Sequence, residues 1–507
     1  MIKLPNAFCK KSLPLVFAAI LLASLLLAAC SEKTPANNSG GTNADTETQS
    51  ADTEPAETRL EPKLPSGARW DGYEFTVLTK GAYSSHWVSV DIAADEITGE
   101  PINDAVYARN LAVSEKYGVT VIDFPSPTAD FNGVASKTIL AGDDAYDMLC
   151  FYDAPLINSG CLANLYDIPY MDLSAPYYDQ NCAGTLTING KLFAVTGDLL
   201  IMDNSATWCV QFNKQMAADL QLDSIYGDSL YGLVNGGRWT LDVFYESAKL
   251  AARDVDGDGV MHELKDIWGF QTEGFNTYAF LVGSGGMLAK VTNDAAGAGI
   301  ELGLYGERTQ NVLAKAAEAQ NDKTVALSSG TPKGYSNVFE EVLDKNFKEG
   351  RVLYNVAGMN RVTLFRAMEV DFGVLPIPAY DENQASGYHN PVSMSSNFIS
   401  VPKTAGDLER TGVVLEALSC ESRYTLIPAY YDITLKTKAS RDNESHDMLD
   451  LIFATTHFDA GYYYDWGGLM GFVTGLTDAG TISSRLAAIE KSAAASFEKT
   501  LAAIADQ

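Results

Sequence analysis

Tyr73-Glu74-Phe75-Thr76-Val77-Leu78-Thr79 opens the part of the chain that decides the fold. β-Branched and aromatic residues crowd this run and turn residues flank it, so it reads as a strand. After Gly99-Glu100-Pro101 a helical pattern follows, with Asn103 as its expected N-cap, Val106, Val113 and Tyr117 at helical spacing, and Gly118 at its end. Residues 119–122 form a second strand pattern, 134–141 a second helix and 148–152 a third, apolar strand. This β-α-β-α-β order predicts a mostly parallel sheet covered by helices. Such sheets bind ligands beyond the carboxyl ends of their strands.

Outward from this unit the alternation continues. Residues 191–195, 208–212, 371–376 and 397–402 read as strands, and helices open at 213 and at Thr240. Ile482, Leu486, Ile489, Ala493, Phe497, Leu501 and Ile504 hold a period near 3.6, the mark of a final helix built for packing. With 507 residues, 46% of them hydrophobic, the chain is too long for one compact domain. Its 36 Lys and Arg against 65 Asp and Glu give a net charge of −29. A surface that acidic repels phosphate backbones, which excludes a nucleic-acid partner.

Ahead of this body lie Lys3, Lys10 and Lys11, an apolar stretch over 13–29, and Leu27-Ala28-Ala29-Cys30. The apolar stretch is short for a bilayer span, which needs about 20 residues. It resembles a bacterial lipoprotein signal, in which the cysteine is acylated and becomes the first residue of the exported chain. Cys30 is thus the expected lipidation site, and loss of three lysines takes the charge to −32. Residues 31–66 contain no aromatic and no β-branched aliphatic residue. They read as a disordered tether, spanning about 35 Å as a coil. Of the seven cysteines, Cys150, Cys161, Cys182, Cys209 and Cys420 remain in the body, without CxxC spacing, and read as small core residues.

Several blocks carry a family resemblance: Thr98-Gly99-Glu100-Pro101-Ile102-Asn103-Asp104-Ala105-Val106-Tyr107, Tyr146-Asp147-Met148-Leu149, Asn189-Gly190-Lys191-Leu192-Phe193-Ala194 with Gly197-Asp198, Gly350-Arg351-Val352-Leu353, and Phe372-Gly373-Val374-Leu375-Pro376. In this order they resemble the extracellular solute-binding lipoproteins of bacterial ABC importers, in the carbohydrate-binding branch. The resemblance implies an α/β fold of two lobes (type II), joined by hinge strands around a central cleft. On that pattern 1–29 is the signal peptide and 30–66 the lipidated cysteine and tether. Lobe 1 takes 67–200 with 357–420, and lobe 2 takes 201–356 with 421–507. The implied partners are a carbohydrate, expected to be an oligosaccharide, the permease subunits, and the membrane through the lipid. The protein is expected to act as a monomer on the outer face of the cell membrane.

A sugar presents apolar C–H faces to aromatic rings and hydroxyls to planar donors and acceptors. Phe151, Tyr152 and Asp153, directly after the apolar third strand, have that chemistry. So do Asp198, Asp203, Asn204 and Trp208 near the expected first crossing, and Tyr464, Asp465 and Trp466 in the run Tyr462-Tyr463-Tyr464-Asp465-Trp466-Gly467-Gly468. Phe275, Asn276 and Asn355 complete the set of candidate ligand contacts.

Asp254-Val255-Asp256-Gly257-Asp258-Gly259 matches the start of an EF-hand-type loop. The candidate calcium ligands are Asp254, Asp256, Asp258, the Val260 carbonyl, Glu263 and Asp266. Lys265 stands where the loop's last acid belongs, so Asp266 serves only after a one-residue insertion. Calcium here is structural, and no cofactor for chemistry is expected. HExxH, GxSxG and P-loop motifs are missing and the five histidines are scattered. The chain is therefore expected not to be an enzyme. A secreted glycoside hydrolase, needing two carboxylates about 5–10 Å apart, and a non-transport surface lipoprotein are the competing classes.

Overall fold

The structure, a computed structural model, describes residues 59–82, 87–272, 275–294, 297–384, 386–439, 442–476 and 479–505. Cys30, the signal segment and the tether as far as residue 58 lie outside the described residues. Among the described residues no helix is long and apolar enough to cross a membrane.

The first sheet is the one the opening stretch predicts. β1 (Tyr73–Thr79), β2 (Val119–Pro125) and β3 (Met148–Cys150) are parallel, with β1 in the middle. α1 (Pro101–Tyr117) and α2 (Phe131–Leu140) make the crossovers. α1 starts two residues before the expected cap: Pro101 takes its first turn, where a missing N–H costs nothing. Gly118 ends it in the left-handed region, at φ 74°.

A second sheet holds β4 (Trp208–Asn213), β5 (Trp268–Thr272), β8 (Ala326–Ser328), β9 (Val352–Gly358) and β10 (Phe372–Leu375), in the order β10-β4-β9-β5-β8. Its central strand β9 is buried at every residue. One face is covered by α3 (Leu241–Ala251), capped by Thr240. Phe244 of α3 stacks on Tyr354 of β9 and meets Phe270 of β5 at 5.1 Å. Between β5 and β8 come α4 (Asn276–Gly283), the hairpin β6 (Ala289–Asp294) and β7 (Gly297–Leu302), and α5 (Glu307–Asn321). α4 serves two cores: Tyr278, Leu281 and Val282 join the core around the first sheet, and Ala279 and Phe280 the core beside the second.

After β10 the chain returns. β11 (Asn390–Pro391) pairs with β13 (Thr456–His457), Val392 bridges Thr207, and β12 (Ile399–Ser400) adds antiparallel to β3 as an edge of the first sheet. α6 (Leu408–Tyr424) then packs on α1, whereas Leu426 and α7 (Asn443–Ala454) pack on the second sheet's side. The last segment, with α8 (Ile482–Ala505), returns to the core around the first sheet.

These crossings differ from the expected boundaries. Residues 357–375 stay with the second sheet, because β9 runs to Gly358 and β10 pairs with β4; the return to the first sheet falls between 376 and 398. Residues 456–505 also leave lobe 2: the apolar stripe of α8 finds its partners in the core around the first sheet. Residues 191–195, expected as a strand, make only isolated bridges, at Lys191 and Val195. The five body cysteines are buried free thiols.

α6 approaches the loop that follows Leu165–Asp167 so closely that a Cβ on Gly412 would lie 1.8 Å from the Pro169 carbonyl oxygen. Gly412→Ala is therefore expected to destabilise the protein by at least about 2 kcal/mol through overpacking, read as a lowered denaturation midpoint. An unchanged midpoint would remove this contact as a determinant of the fold.

Candidate functional site

The two sheets meet through residues 390–400. Val392 pairs with Thr207, just before Trp208 of β4, and Ile399 pairs with Cys150, just before Tyr152. β4 runs antiparallel to β9, so Trp208 lies opposite Gly358 at the carboxyl end of β9. One junction thus collects the strand ends of both sheets, the position where open α/β sheets hold ligands.

From the first sheet come Lys80, after β1, and Tyr152 and Asp153, after β3. Lys80 is buried, and its ammonium donates to the Ser395 carbonyl at 2.6 Å. Burial lowers its pKa to about 8. Asp153 is fully buried and accepts a hydrogen bond from the Tyr463 hydroxyl, while its second oxygen has no partner among the described residues. Burial pushes its pKa up to about 7. Around this carboxyl stand rings at aromatic contact distance. Tyr463 meets Tyr152 at 4.8 Å and Phe398 at 4.7 Å, both near edge-on, and the Tyr152 hydroxyl donates to the Tyr463 carbonyl. Tyr462 stacks on Tyr278 of α4 at 4.3 Å and accepts from the Met394 amide.

From the second sheet come Trp208 and Phe275, edge to face at 5.9 Å, with Phe275 exposed. Asn276 starts α4; Thr272 donates to its side-chain oxygen, and its amide nitrogen is buried without a partner among the described residues. Asp203 and Asn204 lie in the short helix Met202–Ser205 that leads into the crossing. Asp203 is buried, with its pKa raised to about 8 by burial.

Other expected contacts belong elsewhere. Phe151 is fully buried and packs on Phe131 of α2. Asn355 sits inside β9 and links β4 to β5: it donates to Gln211 and accepts from Gln271. That polar ladder occupies both ends of the Asn355 amide within a buried sheet, so Asn355 is committed to the fold. Asp198 pairs with Arg423 of α6 at 3.2 Å; burial raises its pKa to about 6 and the guanidinium opposes the rise.

Asp465 is an exposed left-handed turn residue that accepts from the Met470 amide. Trp466 is 1% exposed. Its ring stacks on Tyr464 at 4.8 Å, and its indole N–H donates to Thr500 of α8. Gly467 permits this packing, since a Cβ there would lie 2.4 Å from the Ala493 amide. The Tyr-Tyr-Tyr-Asp-Trp-Gly-Gly run is a docking seat for α8, and the ring it sends to Asp153 is Tyr463. Lys80, Phe398 and Tyr278 are the residues that sequence reading missed at the junction, whereas Tyr463 belongs to the tyrosine run it had singled out. Only Lys80 carried a signal, as a cation placed directly after a strand.

The acidic loop is folded by its own hydrogen bonds. Asp254 accepts from Gly257 and Gly259, and the fully buried Asp266 accepts from Val255 and His262. Asp254, Asp256 and Asp266 each bring one oxygen within 4.8 Å of the others, and Asp256, Asp258 and His262 form an overlapping set. Glu263 turns away and accepts from Tyr335. Val260 donates its N–H to Asp258.

The fold is that of two-lobed, type II solute-binding proteins. It matches the ABC substrate-binding protein Lmo0181 from Listeria monocytogenes, solved with cycloalternan, at a TM-score of 0.50 and 14% identity, over 83% of this chain and 99% of that one. An ABC transporter solute-binding protein from Thermotoga lettingae, bound with α-D-tagatose, is similar at 0.49 and 14%, over 85% and 100%. RafE from Streptococcus pneumoniae is similar at 0.49 and 14%, over 84% and 100%. No protein-family model matches the chain, and no curated protein sequence matches it.

Removing a buried tryptophan side chain leaves a large cavity and costs about 3–5 kcal/mol. Trp466→Ala is thus expected to lower stability by that amount in denaturant titration, with no sugar present; a stable variant would return Trp466 to the cleft.

Proposed function

We propose that this chain is the solute-capturing lipoprotein of an ABC importer, closing two lobes on a carbohydrate, expected to be an oligosaccharide, and presenting it to a membrane permease. The observation that carries the reading is the junction of strand ends, where Tyr152, Tyr463 and Phe398 stand around Asp153 on the first sheet's side, and Trp208 meets Phe275, next to Asn276, on the second's. Rings supply flat apolar faces for sugar C–H groups, and the buried acids and amides supply directional partners for hydroxyls. With pKa values raised to about 7 and about 8, Asp153 is close to half-protonated at neutral pH and Asp203 is mostly protonated, so each can donate as well as accept. A neutral polyol suits such a site, because it adds no charge to a buried acidic group. The complex of the Listeria protein with cycloalternan supports the solute class. Capture requires only that the solute bind the closed form more tightly than the open one.

The same proposal includes acylation at Cys30, a place on the outer face of the membrane, and action as a monomer; the signal-like residues 1–30 support the first two. We also propose that the loop 254–266 holds a structural calcium ion. Asp254, Asp256 and Asp266 converge on one point, Asp258 adjoins it, and the buried position of Asp266 supports the one-residue insertion. Six to eight oxygens are needed, so backbone carbonyls and water would complete the shell.

A thermal-shift screen of the purified mature protein with maltotetraose, raffinose, tagatose and a cyclic tetrasaccharide is expected to give a saturable rise in melting temperature with at least one sugar. Tyr152→Ala, at a half-buried position, should abolish that rise while the unliganded midpoint moves little. A flat response to every carbohydrate, or cleavage of the sugar during incubation, would count against the reading. Excess EDTA should lower the unliganded melting temperature and calcium restore it; no change on either addition would leave the acidic loop as a solvated turn.

A further inference from the structure

His389 and His457 sit beside each other where the chain crosses between the two sheets. β11 and β13 pair in parallel, Asn390 with Thr456 and Pro391 with His457, so both strands of this small sheet are crossing strands. The next residue, Val392, bridges Thr207 and donates its N–H to the His457 carbonyl at 3.1 Å, which ties the third crossing to the same place. The imidazoles lie edge to face with centroids 5.8 Å apart, and among the described residues neither Nε2, both buried, has a hydrogen-bond partner.

The surroundings offer no compensation for a positive charge. α4 packs on β11 and the helix Gln180–Leu186 on β13; neither helix contains a charged side chain, and β4 has none either. Asp179, at the start of that second helix, is turned to the Cys182 amide. Ser386 lies near His389, across Gly285. Asp459, two residues after His457, accepts from the amides of Leu288, Ala289 and Gly461, and burial raises its pKa to about 6. Asp381 is held outward by Arg308. Burial lowers the pKa of both imidazoles, that of His457 to about 4, and the neighbouring His389 lowers His457 further.

We infer that His389 and His457 form a proton-sensitive latch at the hinge: neutral and packed together they hold the lobes in the arrangement seen here, and protonation drives the hinge open so that the rings reach water. This goes beyond the proposed sugar binding, since it depends only on the crossing strands. A group whose pKa is depressed in one state withdraws its support for that state as pH falls below the ordinary value. For one imidazole that titrates at about 4 when packed and about 6.5 when exposed, going from pH 7 to pH 5 lowers the closed-to-open ratio roughly twentyfold. The buried acids act in the opposite sense. Asp153, Asp203 and Asp459 become neutral, and easier to bury, as pH falls, so the latch must be read as a difference between variants.

The test uses the ligand-free protein. Small-angle scattering at pH 7.5 and 5.0 should show a larger radius of gyration at pH 5.0 for the wild type and little change for His389→Gln/His457→Gln. NMR of the histidine rings should show His457 titrating near 4 and His389 below its ordinary value. The inference is overturned if the wild type keeps its radius, if the double variant expands equally, or if all five histidines titrate near 6.5. Should circular dichroism show the double variant unfolded, His457→Gln alone takes its place with the same expected outcomes. Because no sugar is added, a failure here leaves the carbohydrate reading untouched, and a failure of the sugar screen leaves this one intact.

Discussion

Residues 390–400 are stitched into both halves of the molecule, and that double attachment governs most of what the protein presents. Val392 bridges Thr207 at the entry to the second sheet, and seven residues later Ile399 pairs with Cys150 at the carboxyl end of the first. A buried crossing has to satisfy its backbone groups, and here it does so by pairing with strands on each side. The consequence is geometric. Two sheets that pack separate cores are brought together near their strand ends, where residues 390–400 touch the end of β1, the end of β3 and the entry to β4.

Most side chains at the junction are buried, and its electrostatics follow from that. Lys80, Asp153 and Asp203 are shifted toward their neutral forms by burial, and the two hinge imidazoles are held neutral by the same cause. In a chain with net charge −29, the site avoids adding to the acidity: its carboxyl groups sit among tyrosine and phenylalanine rings, where they act as hydrogen-bonding groups. Such a surface is better matched to a neutral, hydroxyl-rich solute than to an ion.

Much of the fold was legible from local pattern. The three parallel strands and two crossover helices over 73–152 appear in the order read, with ends shifted by one to three residues, the cap at Thr240 is real, and α8 has the stripe of Ile482, Leu486, Ala493 and Phe497 facing inward. The site was less legible. Tyr152, Asp153, Asp203, Trp208, Phe275 and Asn276 lie at strand ends or crossings between the two sheets. Trp466, Asp465 and Asn355 looked equally suitable by residue type but are occupied by α8, a turn and a sheet ladder. A tryptophan beside two glycines has the same sequence appearance in a cleft and under a helix. What separates the two cases is the approach of Ala493, 26 residues further along the chain.

The sequence by itself determined the local periods, the acidic balance that excludes nucleic acid, the signal-like first 30 residues, and the acids of the loop at 254–266. Each of these depends on neighbours within a few residues. Only the tertiary structure decided that 357–375 remain with the second sheet, that 456–505 return to the first core, that Tyr463 reaches Asp153, and that His389 meets His457 at the hinge. These are contacts between residues from about 70 to more than 300 positions apart, the sheet pairing of β10 with β4 included. They are selected by how whole faces exclude water together, a property that no short window of sequence contains.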